Sequence, residues 1–328
     1  MQKSDFIQAL PKAELHLHIE GALPWWMIQR RVTSWPTPPP WWSADYRFDN
    51  FPHFARVMSQ CYESTLTSAE SYYLAAQGIF ENLLAQDVRY VELSYSIGHA
   101  VTRGLSQREI VEAIKQAAPP NLIVRIFCGL SRSRPELLRE GVLDAVLDLP
   151  GLDGLDLHGD ETAQEPAAFA PLFAQARGRG LAVKAHAGEL AGPRSMRETI
   201  DVLRLRRVEH GVTAVRDEQL MAKLAAEAIT LDMCPTSNVK LRVVAHASAH
   251  PIGQFHRRGI PVTVSTDNPT ILGCSLSDEL HLLVGVLGFS LRDVVQLQVN
   301  AFRVAAVSEP TRVGIMAELD ELLAHAGA

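Results

Sequence analysis

The chain has 328 residues, 47% hydrophobic and 21% charged, so it can bury a large core and is far from the composition of a disordered segment. Its formal charge of -6 is mild and its Lys and Arg are scattered, which excludes the basic footprint of a nucleic-acid binder and leaves a small molecule as the default ligand. Four separated cysteines (Cys61, Cys128, Cys234, Cys274) with no CxxC pair, no apolar leader and no run long enough for a bilayer lead to the expectation of one cytoplasmic domain over 1–328 with no membrane contact.

Eight short runs have the apolar, β-branched character of buried parallel strands. In chain order they are AELHLH (13–18), VRYVELSYS (88–96), LIVRIFCGL (122–130), GLDLHG (154–159), LAVKAHAG (181–188), RRVEHG (206–211), ITLDMCP (229–235) and PVTVSTDN (261–268). Segments with helical spacing separate them, among them SQREIVEAIKQAA, RPELLREGVLDAVLDL, PAAFAPLFAQARGRG and DEQLMAKLAAEA. Eight alternations of strand and helix predict a (β/α)8 TIM barrel, whose chemistry sits at the C-terminal ends of the strands.

The first connection, between His18 and Val88, is longer than the others and predicts an inserted region after strand 1. It includes the helical stretches FPHFARVMSQCYES and SAESYYLAAQGIFENLLAQ and holds all five tryptophans, Trp25, Trp26, Trp35, Trp41 and Trp42, with a Pro-rich run at 34–42 that breaks helical continuity. Two readings of the Trp/Pro segment are open: an apolar lid at the active face, or a stapled surface loop packed on the barrel. Phe51 and Phe54 would suit the apolar wall of a purine pocket.

On strand 1, residues i and i+2 share a side, so His16 and His18 aim together while Leu15, Leu17 and Ile19 aim the other way. The pair alone fits equally well two buried histidines satisfied by carbonyl or carboxylate partners. The other strand ends change the balance: KAHAGE, VEHG and STDNP add His186, Glu189, His210 and Asp267 at the rim where a barrel places its active site. Three neutral imidazoles and one carboxylate suit Zn²⁺, which lowers the pKa of a water. Four ligands leave His210 and Glu189 for proton handling.

The motifs ELHLHIEG, GDE (159–161), HAGE (186–189), EHG (209–211), CPTSN (234–238) and STDNP (265–269), in this order, resemble the adenosine deaminase family of the amidohydrolase superfamily from about Lys12 to Ser308. The resemblance implies a zinc aminohydrolase that replaces the 6-amino group of a purine with oxygen, with adenosine or 2′-deoxyadenosine as the first expectation and adenine or an aminofutalosine-type nucleoside as the alternative. His16, His18, His186 and Asp267 would hold one Zn²⁺ per chain. Glu189 would protonate ring nitrogen N1, His210 would orient or deprotonate the attacking water, Gly159 would offer its N–H to N3, and Asn268 would contact N7.

Two positions depart from the family pattern. The family usually carries Asp-Asp-Pro at strand 8, where this chain has Asp267-Asn268-Pro269, and an amide has a donor for N7 without needing to be protonated. Glu20 stands where adenosine deaminases carry an Asp that contacts ribose, one methylene shorter, which moves the resemblance toward the adenine and aminofutalosine branches. A binuclear amidohydrolase is disfavoured because strand 4 ends LDLHGD without a lysine, and the zinc motifs of cytidine-type deaminases and HExxH proteases are absent. A non-catalytic purine-binding barrel would be signalled by a missing ligand, acid or base, and none is missing.

Overall fold

The structure, a computed structural model, describes residues 2–138 and 142–325. Its strands are β1 (Lys12–His18), β2 (Val88–Ser96), β3 (Ile123–Ser131), β4 (Gly154–His158), β5 (Ala182–Ala187), β6 (Arg207–His210), β7 (Thr230–Met233) and β8 (Val262–Val264). They form one eight-stranded sheet in sequence order, every neighbouring pair parallel. The ring closes just past β8, where Asp267 N donates to His16 O (2.9 Å) and His18 N donates to Asp267 O (3.0 Å). The fold is a (β/α)8 barrel, and all eight predicted strands are present.

Strand ends differ from the expected ones by a few residues, most at β8. There the chain leaves extended geometry: Asp267 has φ +63°, and at the end of β6 His210 has φ +69°. A left-handed conformation is uncommon outside glycine, and here it falls on two of the rim residues singled out above. The predicted helix over 134–149 is also shorter than expected. Pro135–Leu138 forms a 3-10 turn and Val142–Val146 one α-helical turn, while 139–141 lie outside the described residues.

Alternation along the strands divides the barrel into two environments. Leu15 and Leu17 join the apolar core, and the intervening positions face inward. The interior below the rim is ionic. Arg207 reaches Glu92 (2.8 Å) and Asp232 (2.9 Å), while Lys184 Nζ reaches Glu209 (3.0 Å) and Glu92 (3.5 Å) and donates to Leu15 O (2.7 Å). Each buried charge therefore has a partner of opposite sign, as burial at this depth demands. Lys184 points into this layer, so it is not the bridging lysine of a binuclear centre. Among the described residues, no helix is long and apolar enough to cross a membrane.

The region after β1 contains the helices Phe51–Tyr62 and Ala69–Leu84. Asn50 caps the first, its side chain accepting from His53 N (2.9 Å), and Phe54, Val57 and Cys61 give it a buried stripe. The tryptophans cluster separately. Trp25 and Trp35 stack with centroids 6.5 Å apart, Trp35 meets Trp41 edge-on at 4.8 Å, and Trp42 Nε1 donates to Thr270 O at 2.5 Å. Lys240 Nζ donates to Trp41 O at 2.7 Å, fixing the segment to the turn after β7.

Candidate active site

At the C-terminal mouth of the barrel lies a cavity of about 560 Å³. His18, His186, Glu189 and Asp267 lie at its base, and the helix Phe51–Tyr62 supplies an apolar wall through Phe51, Phe54 and Met58. None of the five tryptophans lines it. The Trp/Pro segment is therefore a stapled surface structure, and the lid reading passes to the helix that follows it. Trp41 is 5% exposed, so Trp41→Ala is expected to cost about 3 kcal/mol of stability in a denaturant melt. The same variant should leave KM for the substrate within roughly twofold, since a side chain outside the pocket makes no binding contact to lose; a larger rise in KM would restore the lid reading.

The predicted ligand residues converge. His16 Nε2 lies 3.1 Å from His18 Nε2, which lies 3.2 Å from His186 Nε2, and Asp267 Oδ1 is 3.4 Å from the Nε2 atoms of both His16 and His18. Four donors on a tetrahedron with bonds of about 2.0–2.1 Å stand roughly 3.3 Å apart, so these spacings fit a tetrahedral ion. Hydrogen bonding alone serves three facing imidazole nitrogens poorly, because each neutral ring has one N–H and one lone pair. His16 also hydrogen-bonds the backbone carbonyl of Asp232, which leaves its Nε2 free to ligate. Burial, first, pushes His16 and His18 down to about 3, and His186 is also lowered, so all three rings carry lone pairs at neutral pH.

Two carboxylates beside the cluster were not assigned from the sequence. Asp156 Oδ2 lies 3.8 Å from His18 Nδ1, and Glu209 lies 3.7 Å from His16 Nε2 and 3.6 Å from His186 Nε2. Glu209 also pairs with Lys184 Nζ at 3.0 Å. Burial, first, raises the Glu209 carboxyl, and it shares a side-chain hydrogen bond with Asp156, so the two partner each other beside the cluster. Among the described residues, the groups geometrically able to hold an ion are His16, His18 and Asp267; His16, His186 and His210; and His18, Asp156 and His186. The period-two spacing of Asp156 and His158 in LDLHG is the signal by which Asp156 could have been found.

Glu189 and His210 stand together at the side of the cluster. His210 Nε2 is 3.4 Å from Glu189 Oε2, and Asn238 Nδ2 lies 3.1 Å from His210 Nδ1 and 3.5 Å from Glu189 Oε1. Burial, then the charges of Asp267 and Glu161, raise the Glu189 carboxyl well above its ordinary range, so it is held as the acid. Glu161 fixes the turn that carries it, accepting from the N–H groups of Gly188 (2.8 Å), Glu189 (2.8 Å) and Leu190 (3.1 Å). Asn238 and Glu161 lie in the quoted motifs CPTSN and GDE, but only the fold reveals what they hold.

Asp267 accepts from Ser237 Oγ at 2.7 Å and from Asn268 Nδ2 at 2.5 Å. One donor of Asn268 is thus turned to Asp267, a partner not foreseen for this side chain. The glycine of ELHLHIEG makes room for it: a Cβ on Gly21 would lie 1.9 Å from Asn268 Oδ1. Gly159 has φ +87°, and a Cβ there would stand 2.8 Å from Ser131 Oγ, so its backbone borders the cavity as only glycine allows. Glu20 is 4% exposed and accepts from Ser96 N at 2.7 Å, and burial raises its pKa to about 7.

Comparison with known proteins shows the family and the fold. The profile of the adenosine deaminase family matches residues 11–322. An adenine deaminase from Sinorhizobium fredii is 32% identical, covering 94% of this chain and 98% of its own, and an aminodeoxyfutalosine deaminase from Streptomyces avermitilis is 30% identical, covering 96% and 92%. Among solved structures, an adenine deaminase from Arthrobacter aurescens superposes with a TM-score of 0.87 at 26% identity, covering 95% of this chain and 99% of that one.

Proposed function

The chain belongs to the adenosine deaminase family and is an aminohydrolase, and from that premise we propose that it hydrolyses the 6-amino group of adenine to give hypoxanthine and ammonia. The observation that carries the chemistry is the buried acid Glu189 beside His210 and the imidazole cluster, all at the base of one cavity with an apolar wall. Adenine, the alternative stated above, displaces adenosine as the first expectation. Its support is twofold: the 32% identical relative named for adenine, and Glu20, which stands in place of the ribose-contacting Asp of adenosine deaminases and turns one carboxyl oxygen to the Ser96 N–H.

In this reading His16, His18, His186 and Asp267 hold one Zn²⁺, which when bound lowers the pKa of a water so that the nucleophile forms near neutral pH. Glu189 donates its proton to N1, which draws electron density from C6. Asn238 Nδ2 donates to His210 Nδ1, so the proton of the neutral ring sits on Nε2. His210 therefore orients the attacking oxygen by donating to it, which favours the first of its two expected roles. Oxygen adds to C6 as the first proton of the water passes to Glu189, Glu189 hands that proton to the departing amine, and as ammonia leaves the second proton of the added oxygen returns to Glu189, which leaves a C6 carbonyl, an N1–H and the acid as it began. Gly159 N–H holds N3, and Asn268 faces the five-membered ring at N7. Four unpaired cysteines suit a reducing compartment, and we place the enzyme in the cytoplasm.

A second reading has its own observation. A cavity of about 560 Å³ exceeds the needs of a bare bicyclic base, since roughly 300–1,000 Å³ accommodates drug-sized ligands. Arg103 and Arg134 line its outer part, where they suit a nucleoside with an anionic substituent, in keeping with the relative named for aminodeoxyfutalosine. Rates on adenine, adenosine, 2′-deoxyadenosine, methylthioadenosine and aminodeoxyfutalosine separate the readings. Adenine is expected to exceed adenosine in kcat/KM by about 100-fold or more; parity, or a lead for any nucleoside, removes the adenine reading.

A further inference from the structure

One imidazole in the cavity is left without a task by the reaction just described. His158, the last residue of β4, lines the cavity with its ring centroid 5.3 Å from that of His18 and 6.1 Å from that of His186. It belongs to none of the groups able to hold an ion among the described residues. Its place is nevertheless built. Its Nε2 faces the backbone of Gly129 on β3: a Cβ on Gly129 would lie 3.0 Å from His158 Nε2, so a side chain at 129 would crowd the ring, and the Gly129 carbonyl favours the ring proton on that side. The backbone is fixed as well, because Arg132 N donates to His158 O at 2.9 Å.

A neutral imidazole whose N–H is turned toward a carbonyl keeps a lone pair on the other nitrogen. That acceptor sits one residue before Gly159, whose N–H serves N3 in the reading above. In a purine N3 and N9 are both bonded to C4 and share one edge. Adenine in its 9H form carries an N–H at N9, whereas a nucleoside carries the sugar carbon there. We propose that His158 and Gly159 together read the N3–N9 edge of the purine: Gly159 donates to N3, and the free nitrogen of His158 accepts the N9–H of the unsubstituted base. This rests on the adenine reading and supplies its discrimination. An N9 substituent removes the donor and leaves an acceptor covered by the ligand unpaired, the kind of loss that rejects an analogue far more strongly than poor apolar fit.

The probes are adenine and 9-methyladenine, which differ by the smallest group that blocks N9, used on the zinc-loaded full chain. The wild-type protein is expected to prefer adenine by about 100-fold or more in kcat/KM, and His158→Ala to bring that ratio below about 5. His158→Gln, which offers a carbonyl acceptor, is expected to recover part of the ratio. Binding of 1-deazaadenine and its 9-methyl derivative, which lack N1 and the proton transfer to it, should show the same ordering of Kd values in titration calorimetry, so the result does not depend on turnover. If adenine is preferred and His158→Ala leaves the ratio unchanged, the assignment of His158 is overturned while the adenine reading stands. If the wild-type protein favours 9-methyladenine or a nucleoside, both are overturned.

Discussion

Glu189→Gln is expected to lower kcat by about 1,000-fold while the protein retains its full metal content and KM shifts by no more than roughly threefold. Glutamine has the shape of the protonated carboxyl and can donate a hydrogen bond to N1, but it cannot release the proton. The variant should be well folded, because the turn that carries the side chain is held from outside: Glu161 accepts the N–H groups of Gly188, Glu189 and Leu190. The acid form in the wild-type protein is favoured first by burial and second by the negative charge of Asp267, with Glu161 third. Metal content by atomic absorption separates two explanations of a dead variant. Inactivity with metal bound identifies Glu189 as the proton donor, whereas loss of metal in proportion to activity would place its carboxylate among the ligands and sink the assignment.

Much of this site was legible because a barrel converts position along a strand into position in space. His16, His18, His186, His210 and Asp267 were found as residues at strand ends, and the fold gathers those ends into one mouth. Less legible was whatever depends on where a helix or loop leans. The helix Phe51–Tyr62 shows a buried stripe in sequence, but nothing in its periodicity says that Phe51 and Phe54 meet a cavity instead of the core. The Trp/Pro segment begins at the active face, which suggested a lid, and the Trp42 bond to Thr270 O draws it sideways instead. The interior ion layer was hidden for a different reason. Glu92, Lys184, Arg207 and Asp232 occupy alternate positions in runs that read as apolar strands, and only register pairs each charge with its opposite. Asn238 illustrates the same limit, since its value lies in spanning His210 and Glu189 from a third element.

His186→Ala should abolish activity to below about one part in 10⁴ by a different route, loss of the ion. Its Nε2 lies 3.2 Å from that of His18, and it approaches from β5 while His16 and His18 approach from β1 and Asp267 from beyond β8. The remaining three donors therefore come from one side of the site, and an ion held by them would be exposed where His186 had closed the tetrahedron. Thermal melts with and without added zinc give the sharper readout, because a ligand that binds only the folded state stabilises it by RT ln(1 + [L]/Kd). Zinc should raise the Tm of the wild-type apoprotein and leave that of His186→Ala unmoved. Ser237→Ala serves as the graded control. Its hydroxyl donates to Asp267 Oδ2 at 2.7 Å, and loss of such an orienting bond typically weakens metal binding by about 10–100-fold without abolishing it. A zinc-dependent Tm shift in Ser237→Ala that lies between those of the wild-type protein and His186→Ala would establish that the four donors act as one site. Undiminished zinc stabilisation of His186→Ala would mean that the ion is carried by His16, His18 and Asp267, the one of the three clustered sets among the described residues that does not include His186.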